Sequence, residues 1–395
     1  MQSLEEFYDF MQRLHTARRS IVASCLSRTN DPQDIGVIQN AVKVIDNLPG
    51  SGYTRSLEID GNTLDLELDY ERRELERDAV FLDRPIQEFY QTLANDHQRF
   101  SESVGECLEF LRDRDMHTFI TDRDGTINNY CGHYRSSHQS IYNAVFLTHF
   151  IRRCTSEAVI LTSAPLEPHG IIDLSAMPER TVTLAGSKGR ELLTADGRRA
   201  SKPIAPGQAE ALQTLNERLE QLLEHKRNRP FALIGSGLQY KFGQTTVARQ
   251  DIHGSIAAQE SQRFLQSVTE LVQELDPSGS TFQIEDTGKD VEIMLTVEGE
   301  REFSKGDGVA FLAEELPLDL DGSSCALVCG DTGSDVPMLE EVIARAGAAN
   351  TATVFVTTDT ELRRRVSTAA GDHWFVDSPD VLVVALNRLA SEQAR

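Results

Sequence analysis

Two rhythms of apolar residues divide the N-terminal part of the chain. Leu4, Phe7, Phe10, Met11 and Leu14 recur at helical spacing. Val37, Ile38, Val42, Val44, Ile45 and Leu48 repeat that spacing until Pro49-Gly50 ends it. The stretch TRSLEIDGNTLDLELDY instead alternates apolar and polar positions around Asp60-Gly61-Asn62, which predicts a hairpin. A long helical stretch is expected from about Pro85 to Asp113. Residues 1–113 are therefore expected to form a mainly helical module. No motif in it carries recognisable chemistry, so packing or self-association is its expected role.

From His117 the pattern changes. HTFITD reads as a strand, residues 137–153 as a helix, and EAVILTSA and RTVTLAG as further strands, with a turn at TADGRR. After Pro203 a helix is expected to about Arg227 and another near 256–275. The segments FALIGSGLQYKFGQTTVARQ, TFQIED and DVEIMLTVEG complete a second β/α pattern. The last third predicts a helix at about 307–316, the strand CALVCGD, a helix after Val336, the strand ATVFVTT and a helix near 378–392. Strands alternating with helices imply a parallel sheet with helical crossovers. The expected organisation is an α/β core over 114–200 and 305–395, interrupted by an insertion over 201–304.

Composition narrows the class. A chain of 395 residues is long enough for two or three domains, and 39% apolar with 26% charged residues is a globular balance. The net charge of −23 argues against nucleic acid or an anionic membrane as partner, since a polyanion is repelled by both. A local cationic site can still receive a small phosphorylated substrate, and the acid excess also fits a high-salt habitat. Cys25, Cys107, Cys131, Cys154, Cys325 and Cys329 are scattered without a CxxC pair, which suits buried thiols in a reducing compartment. With no basic-plus-apolar leader and no apolar run near 18 residues, a soluble cytoplasmic protein is expected.

Chemistry concentrates at two strand ends. FITDRDGTINNY places Asp122 and Asp124 two positions apart after an apolar strand, followed by Gly125 and Thr126. In an open α/β sheet, ligands sit at the carboxyl ends of the strands. Carboxylates gathered there need a cation or a proton between them, unless they form an ordinary acidic turn. ALVCGDTGSDVPML brings Asp331 and Asp335 to a second such end, Asp335 also being placed to cap a helix. Four carboxylates on two strand ends suit a hard cation such as Mg²⁺. VILTSAP brings Thr162 and Ser163 to a third strand end, where a hydroxyl and nearby amides can meet anionic oxygens. FSKGDGV brings Lys305 to a helix start, a favoured place for an anion.

The order Asp122-Arg123-Asp124-Gly125-Thr126, Thr162, Lys305, then Gly330-Asp331 with Asp335, resembles the four motifs of the haloacid-dehalogenase-like phosphatase superfamily, over about 116–395. The resemblance implies a Rossmann-like core with a parallel sheet, an inserted α/β C2-type cap, and the helical N-terminal region outside it. It further implies that Asp122 attacks phosphorus and that Asp124 protonates the leaving alcohol, then activates water. Mg²⁺ would be held by Asp122, the backbone carbonyl of Asp124, and Asp331, with Asp335 assisting. Thr162 and Lys305 would hold the phosphoryl oxygens.

Three stretches resemble the trehalose-6-phosphate phosphatase branch of the C2B-capped class. LAGSKGREL carries Lys188 where that branch usually has histidine, YKFGQTTVARQ carries Lys241, and GKDVEIMLTVEGEREFSKGDGV carries Glu292. Lys188, Lys241 and Glu292 are thereby implied as contacts to a sugar phosphate. GDTGSDVPML is closer to sucrose-phosphate phosphatase and Cof-type relatives, and Arg249 departs from an expected histidine. The expected substrate is trehalose 6-phosphate. Another osmolyte sugar phosphate (sucrose, mannosyl- or glucosyl-glycerate), a phosphomutase and a non-catalytic regulatory module remain as alternatives.

Overall fold

The computed structural model describes residues 1–29, 32–296 and 303–393. The N-terminal module opens with α1 (Leu4–Ser27), whose first turn is closed by Ser3 and Glu6 capping one another, and α2 (Pro32–Asp46). A three-stranded meander follows: β1 (Gly50–Ser51), β2 (Thr54–Ile59) and β3 (Asn62–Glu67). Asp60 and Gly61 make the predicted turn with positive φ at both positions, as a two-residue hairpin of this twist requires.

The module then departs from expectation. A helix, α3 (Asp69–Asp83), begins directly after the hairpin, and the expected long helix is two: α4 (Ile86–Asn95) and α5 (Phe100–Arg112). Arg99, at positive φ, lies in the turn between them. The reason α3 lacks an apolar stripe is that its buried face is largely polar: Glu71, Glu74, Arg77 and Asp78 all point inward beside Tyr70 and Leu75.

The core contains β4 (Met116–Thr121), α6 (Ile141–Cys154), β5 (Glu157–Leu161), the single turn α7 (Ile171–Leu174), β6 (Thr183–Gly186), and the short strands β7 (Glu191–Leu193) and β8 (Arg199–Ser201) on either side of the predicted turn. The inserted unit has α8 (Pro206–Glu224), β9 (Leu238–Lys241), β10 (Gln244–Ala248), α9 (Ala258–Leu275), β11 (Phe282–Asp286) and β12 (Asp290–Leu295). Its antiparallel sheet runs β11-β12-β10-β9. The expected continuation of its last strand through Val297–Gly299 lies outside the described residues. The core resumes with α10 (Lys305–Glu315), β13 (Cys325–Gly330), α11 (Val336–Ala346), β14 (Thr351–Val356), α12 (Thr360–Ala369), β15 (Asp372–Val376) and α13 (Pro379–Glu392). Sequence patterning missed α12 and β15. Only Leu362 and Val366 of α12 are buried, and β15 is an edge strand buried only at Val376, so neither carries a strong period.

The core sheet runs β15-β14-β13-β4-β5-β6-β7-β8, parallel from β15 to β6 and antiparallel beyond. Successive residues on its strands enter different cores. Phe119, Ile160 and Leu327 pack with Phe150 of α6 and Leu386 of α13, while Ile120, Val159 and Val328 pack with Leu312 of α10 and Leu339 of α11. The helical module covers α6 and α13, and Tyr8 of α1 reaches the inserted unit, donating to the Leu233 carbonyl at 2.5 Å. Cys107, Cys131, Cys154 and Cys329 are buried thiols. Among the described residues no helix is long and apolar enough to cross a membrane.

Candidate active site

Neighbouring parallel strands bring the acidic motifs together. Thr121 pairs in register with Cys329, and Asp122 N donates to the Cys329 carbonyl at 3.0 Å, so β4 and β13 end side by side. The carboxylates of Asp122, Asp331 and Asp335 then converge, with one oxygen of each lying within 4.8 Å of the others. Glycine makes room for this approach. Gly125 has φ +86, and a Cβ there would lie 2.2 Å from Asp331 Oδ2; one at Gly330 would lie 2.5 Å from the Asp335 Cβ.

Lys305 enters from the first turn of α10. Its Nζ donates to Asp122 Oδ1 and to Asp335 Oδ1, each at 2.5 Å, in a buried position. Asp335 Oδ2 accepts from the amides of Asp331 and Thr332 at 3.1 and 2.9 Å. Thr126 Oγ1 spans the other side, 3.1 Å from Asp331 Oδ1 and 3.4 Å from Asp122 Oδ2.

Among the described residues one lysine, paired with Asp122 and Asp335, serves three carboxylates and leaves the cluster short of positive charge. Burial lifts Asp122 to about 6 even against the pull of Lys305. Burial, followed by the charges of Asp122 and Asp335, pushes Asp331 up to about 9. For Asp335 burial acts upward too, but Lys305 and the amide hydrogen bonds outweigh it and hold the carboxyl below its ordinary value. An all-oxygen, over-acidic cluster fits a hard divalent cation, whose charge would reverse the lift at Asp331.

The cluster opens into a cleft of about 240 Å³ between core and inserted unit. Thr162, Ser163 and Ala164 form one wall at the end of β5, with Thr162 Oγ1 accepting from Ala164 N at 3.2 Å. Asp124 also lines the cleft. Its carboxylate is outside the three-carboxylate cluster and lies against the Arg123 guanidinium and Ser137 Oγ.

Lys241 and Glu292 stand on the facing wall, at the end of β9 and within β12. Burial depresses Lys241, although Glu292 and Asp290 pull it back, and Glu292 accepts from Gln244 Nε2 at 2.8 Å. Lys188 is placed differently from its expected companions. It lines a smaller neighbouring cleft with Arg190, Phe242 and Phe303, while its backbone N donates to the Thr162 carbonyl at 2.9 Å. Arg249 is engaged with Asp286 at 2.7 Å and does not line the main cleft.

Tyr130, Ser236, Gln239, Asp251, Ile252 and Asp290 also line the cleft and were not foreseen. Gln239 lies two positions before Lys241, and Asp290 two before Glu292. The period of a strand puts each on its partner's face, a signal present in the sequence. Nothing local marks Tyr130 or Asp251.

The family described as "Trehalose-6-phosphate phosphatase, C-terminal" matches residues 119–382. The chain belongs to the trehalose-6-phosphate phosphatase family. The companion description, "Trehalose-6-phosphate phosphatase N-terminal helical bundle domain", matches residues 3–104, so the helical module is part of the family's pattern. A trehalose-phosphatase of Caenorhabditis elegans is 30% identical over 427 residues, covering 99% of this chain and 96% of its own. An alpha,alpha-trehalose-phosphate synthase (UDP-forming) 2 of the same organism is 31% identical and covers 98% of this chain, which spans 33% of that protein's length. Among solved structures, the C-terminal domain of the Candida albicans trehalose-6-phosphate phosphatase is 14% identical, covering 73% of this chain and 96% of its own at a TM-score of 0.46.

Proposed function

We propose that this member of the family is a Mg²⁺-dependent phosphatase that converts trehalose 6-phosphate to trehalose and inorganic phosphate through an aspartyl-phosphate on Asp122. The observation that carries the reading is the position of Asp122. It lies at the floor of the cleft, in contact with Lys305 and beside two further carboxylates, with the polar wall of Lys241 and Glu292 opposite.

An Asp122 oxygen attacks phosphorus as the bond to the sugar oxygen breaks, and Asp124 gives the departing oxygen its proton. Asp124 then takes a proton from water as that water attacks phosphorus and the bond to Asp122 breaks. Thr162, Ser163 and Lys305 offer donors to the phosphoryl oxygens, for which charge neutralisation is the main catalytic need. Asp122, the Asp124 carbonyl, Asp331 and Asp335 would hold Mg²⁺, which supplies positive charge to the transferring group. On the facing wall, Lys241 suits an anionic oxygen and Glu292 suits sugar hydroxyls.

A phosphate-release screen over sugar phosphates, with Mg²⁺ and with a chelator, tests the reading. Trehalose 6-phosphate is expected to stand out and to fall silent with chelator. A flat profile or a different preferred sugar removes the substrate assignment. Turnover that needs a bisphosphorylated activator points to a mutase.

A further inference from the structure

The loop that follows β4 is held between the helical module and the cap, and a buried histidine stands at the junction. His133 Nδ1 lies 4.0 Å from Glu71 Oε1 of α3, and Nε2 lies 3.7 Å from Asp251 Oδ2 of the cap. The three side chains are 0–1% exposed. Glu71 is anchored on its own side by Ser136 Oγ, which donates to Oε1 at 2.5 Å. Asp251 is anchored on its side as well, because Oδ1 accepts the amides of His253 and Ser255 at 3.1 and 3.0 Å and so fixes the loop it belongs to. Gln250, Asp251 and Ile252 of that loop line the cleft.

We propose that His133 is a positioning residue that ties the cleft-lining cap loop to the helical module, so that Glu71, outside the cleft, sets how well the enzyme captures a disaccharide phosphate. The inference rests on the substrate reading above. Removing two carboxylates from water is costly unless each finds a donor. Each ring nitrogen of His133 faces one of them, and among the described residues no lysine or arginine pairs with Glu71 or Asp251. Where the loop sits is therefore tied to where the imidazole sits. Both separations are longer than hydrogen bonds, and His133 Nδ1 and Nε2, Glu71 Oε2 and Asp251 Oδ2 are buried without hydrogen-bond partners. A movement of the cap by about 1 Å toward the module would bring Asp251 within hydrogen-bond reach. Ile252 and Asp251 line the cleft, so a shift of that size changes its outer wall. Gly132 is consistent with so close an approach, since a Cβ there would lie 3.2 Å from Ile252.

Two substrates separate this role from a merely structural one. Trehalose 6-phosphate extends to the cap wall, whereas p-nitrophenyl phosphate has no second ring to reach it. In the full chain, His133→Gln and Glu71→Gln are each expected to raise KM for trehalose 6-phosphate about tenfold and to leave kcat/KM for p-nitrophenyl phosphate within about twofold. The double variant should be no worse than the poorer single one, because both act through one contact. An unchanged KM overturns the proposal, and so does a parallel loss on both substrates, which marks damage to the fold. Glu71→Gln, close in shape to the native residue, keeps the test open if His133→Gln does not fold. A wild-type enzyme that splits p-nitrophenyl phosphate but not trehalose 6-phosphate overturns the substrate reading and this inference together, a result distinct from an unchanged KM.

Discussion

Buried charge is handled in opposite ways at the acidic cluster of the cleft and beneath it, where the helical module meets the core. At the cluster, Asp122 and Asp335 share Lys305, and burial with the charges of those two carboxylates lifts Asp331 to about 9. Under the module, Arg77 alone reaches Glu74 at 2.6 Å, Asp96 at 2.9 Å and Asp380 at 3.3 Å. Asp380 takes further hydrogen bonds from Tyr142 and Asn129, at 2.9 and 3.1 Å. Burial acts upward on Asp380, yet Arg77 and its other partners hold the carboxyl below the ordinary value. Each region has several carboxylates out of water. The cluster holds its charge open for something that arrives, whereas the network under the module closes on itself.

Replacing Asp122 tests the first half of that contrast and should give the largest effect. Asp122→Asn keeps the shape and removes both the proposed nucleophile and one of the crowded charges. Turnover of a sugar phosphate is expected to fall at least about 10⁴-fold. In metal-free protein the melting temperature should not fall, because the charge removed was poorly compensated. Phosphate release and thermal melts on one preparation check both. Turnover within tenfold of wild type would end the assignment of Asp122, and a marked loss of stability would mean that the cluster is a structural network after all.

The same contrast explains what could be read from the sequence. The strands that carry the acidic cluster were legible because apolar runs such as FIT and ALVC give way to aspartates, and because parallel strands expose those ends on one side. Helix α3 was not legible. Its inward residues are Glu71, Glu74, Arg77 and Asp78, and a buried polar face has no hydrophobic period to detect. For the same reason the Glu71–His133–Asp251 junction, assembled from three distant segments, left no trace in spacing. On the cap wall, Lys241 and Glu292 were found through family resemblance, while Gln239 and Asp290 required the two-residue period to be applied around them. Lys188, expected as a further substrate contact, lines the neighbouring cleft, from where its charge still acts on Lys241.

Breaking the closed network should cost stability in place of chemistry. Arg77→Met leaves Glu74 and Asp380 buried without their cation and is expected to destabilise the protein by about 3–5 kcal/mol. Removing the stranded charges in a triple variant, Arg77→Met with Glu74→Gln and Asp380→Asn, should recover part of that loss. Urea melts give the free energies, and kcat per folded molecule should stay within about threefold of wild type. A smaller cost than about 1 kcal/mol would show that the network is solvated in solution, and the comparison with the catalytic cluster would lose its second term.

A smaller effect comes from titratable groups that the module interface keeps neutral. His15 of α1 stacks on His138, in the segment before α6, with ring centroids 4.5 Å apart, and both rings are buried. Burial, reinforced by Arg18, holds His15 down from 6.5 to about 3, and His138 is depressed for the same first reason. The folded state thus refuses a proton that the unfolded chain accepts. Below about pH 6.5 the unfolded state binds more protons, so stability falls with acidification and continues to fall until the folded imidazole titrates. His15→Leu removes one such site. Relative to that variant, the wild type should lose about 1 kcal/mol as pH drops from about 6.5 to about 5.5. Denaturant melts at the two pH values measure the difference directly, and parallel curves would mean that the ring is protonated within the fold. In that case the charge must be balanced by a partner, and the interface would belong with the closed network around Arg77.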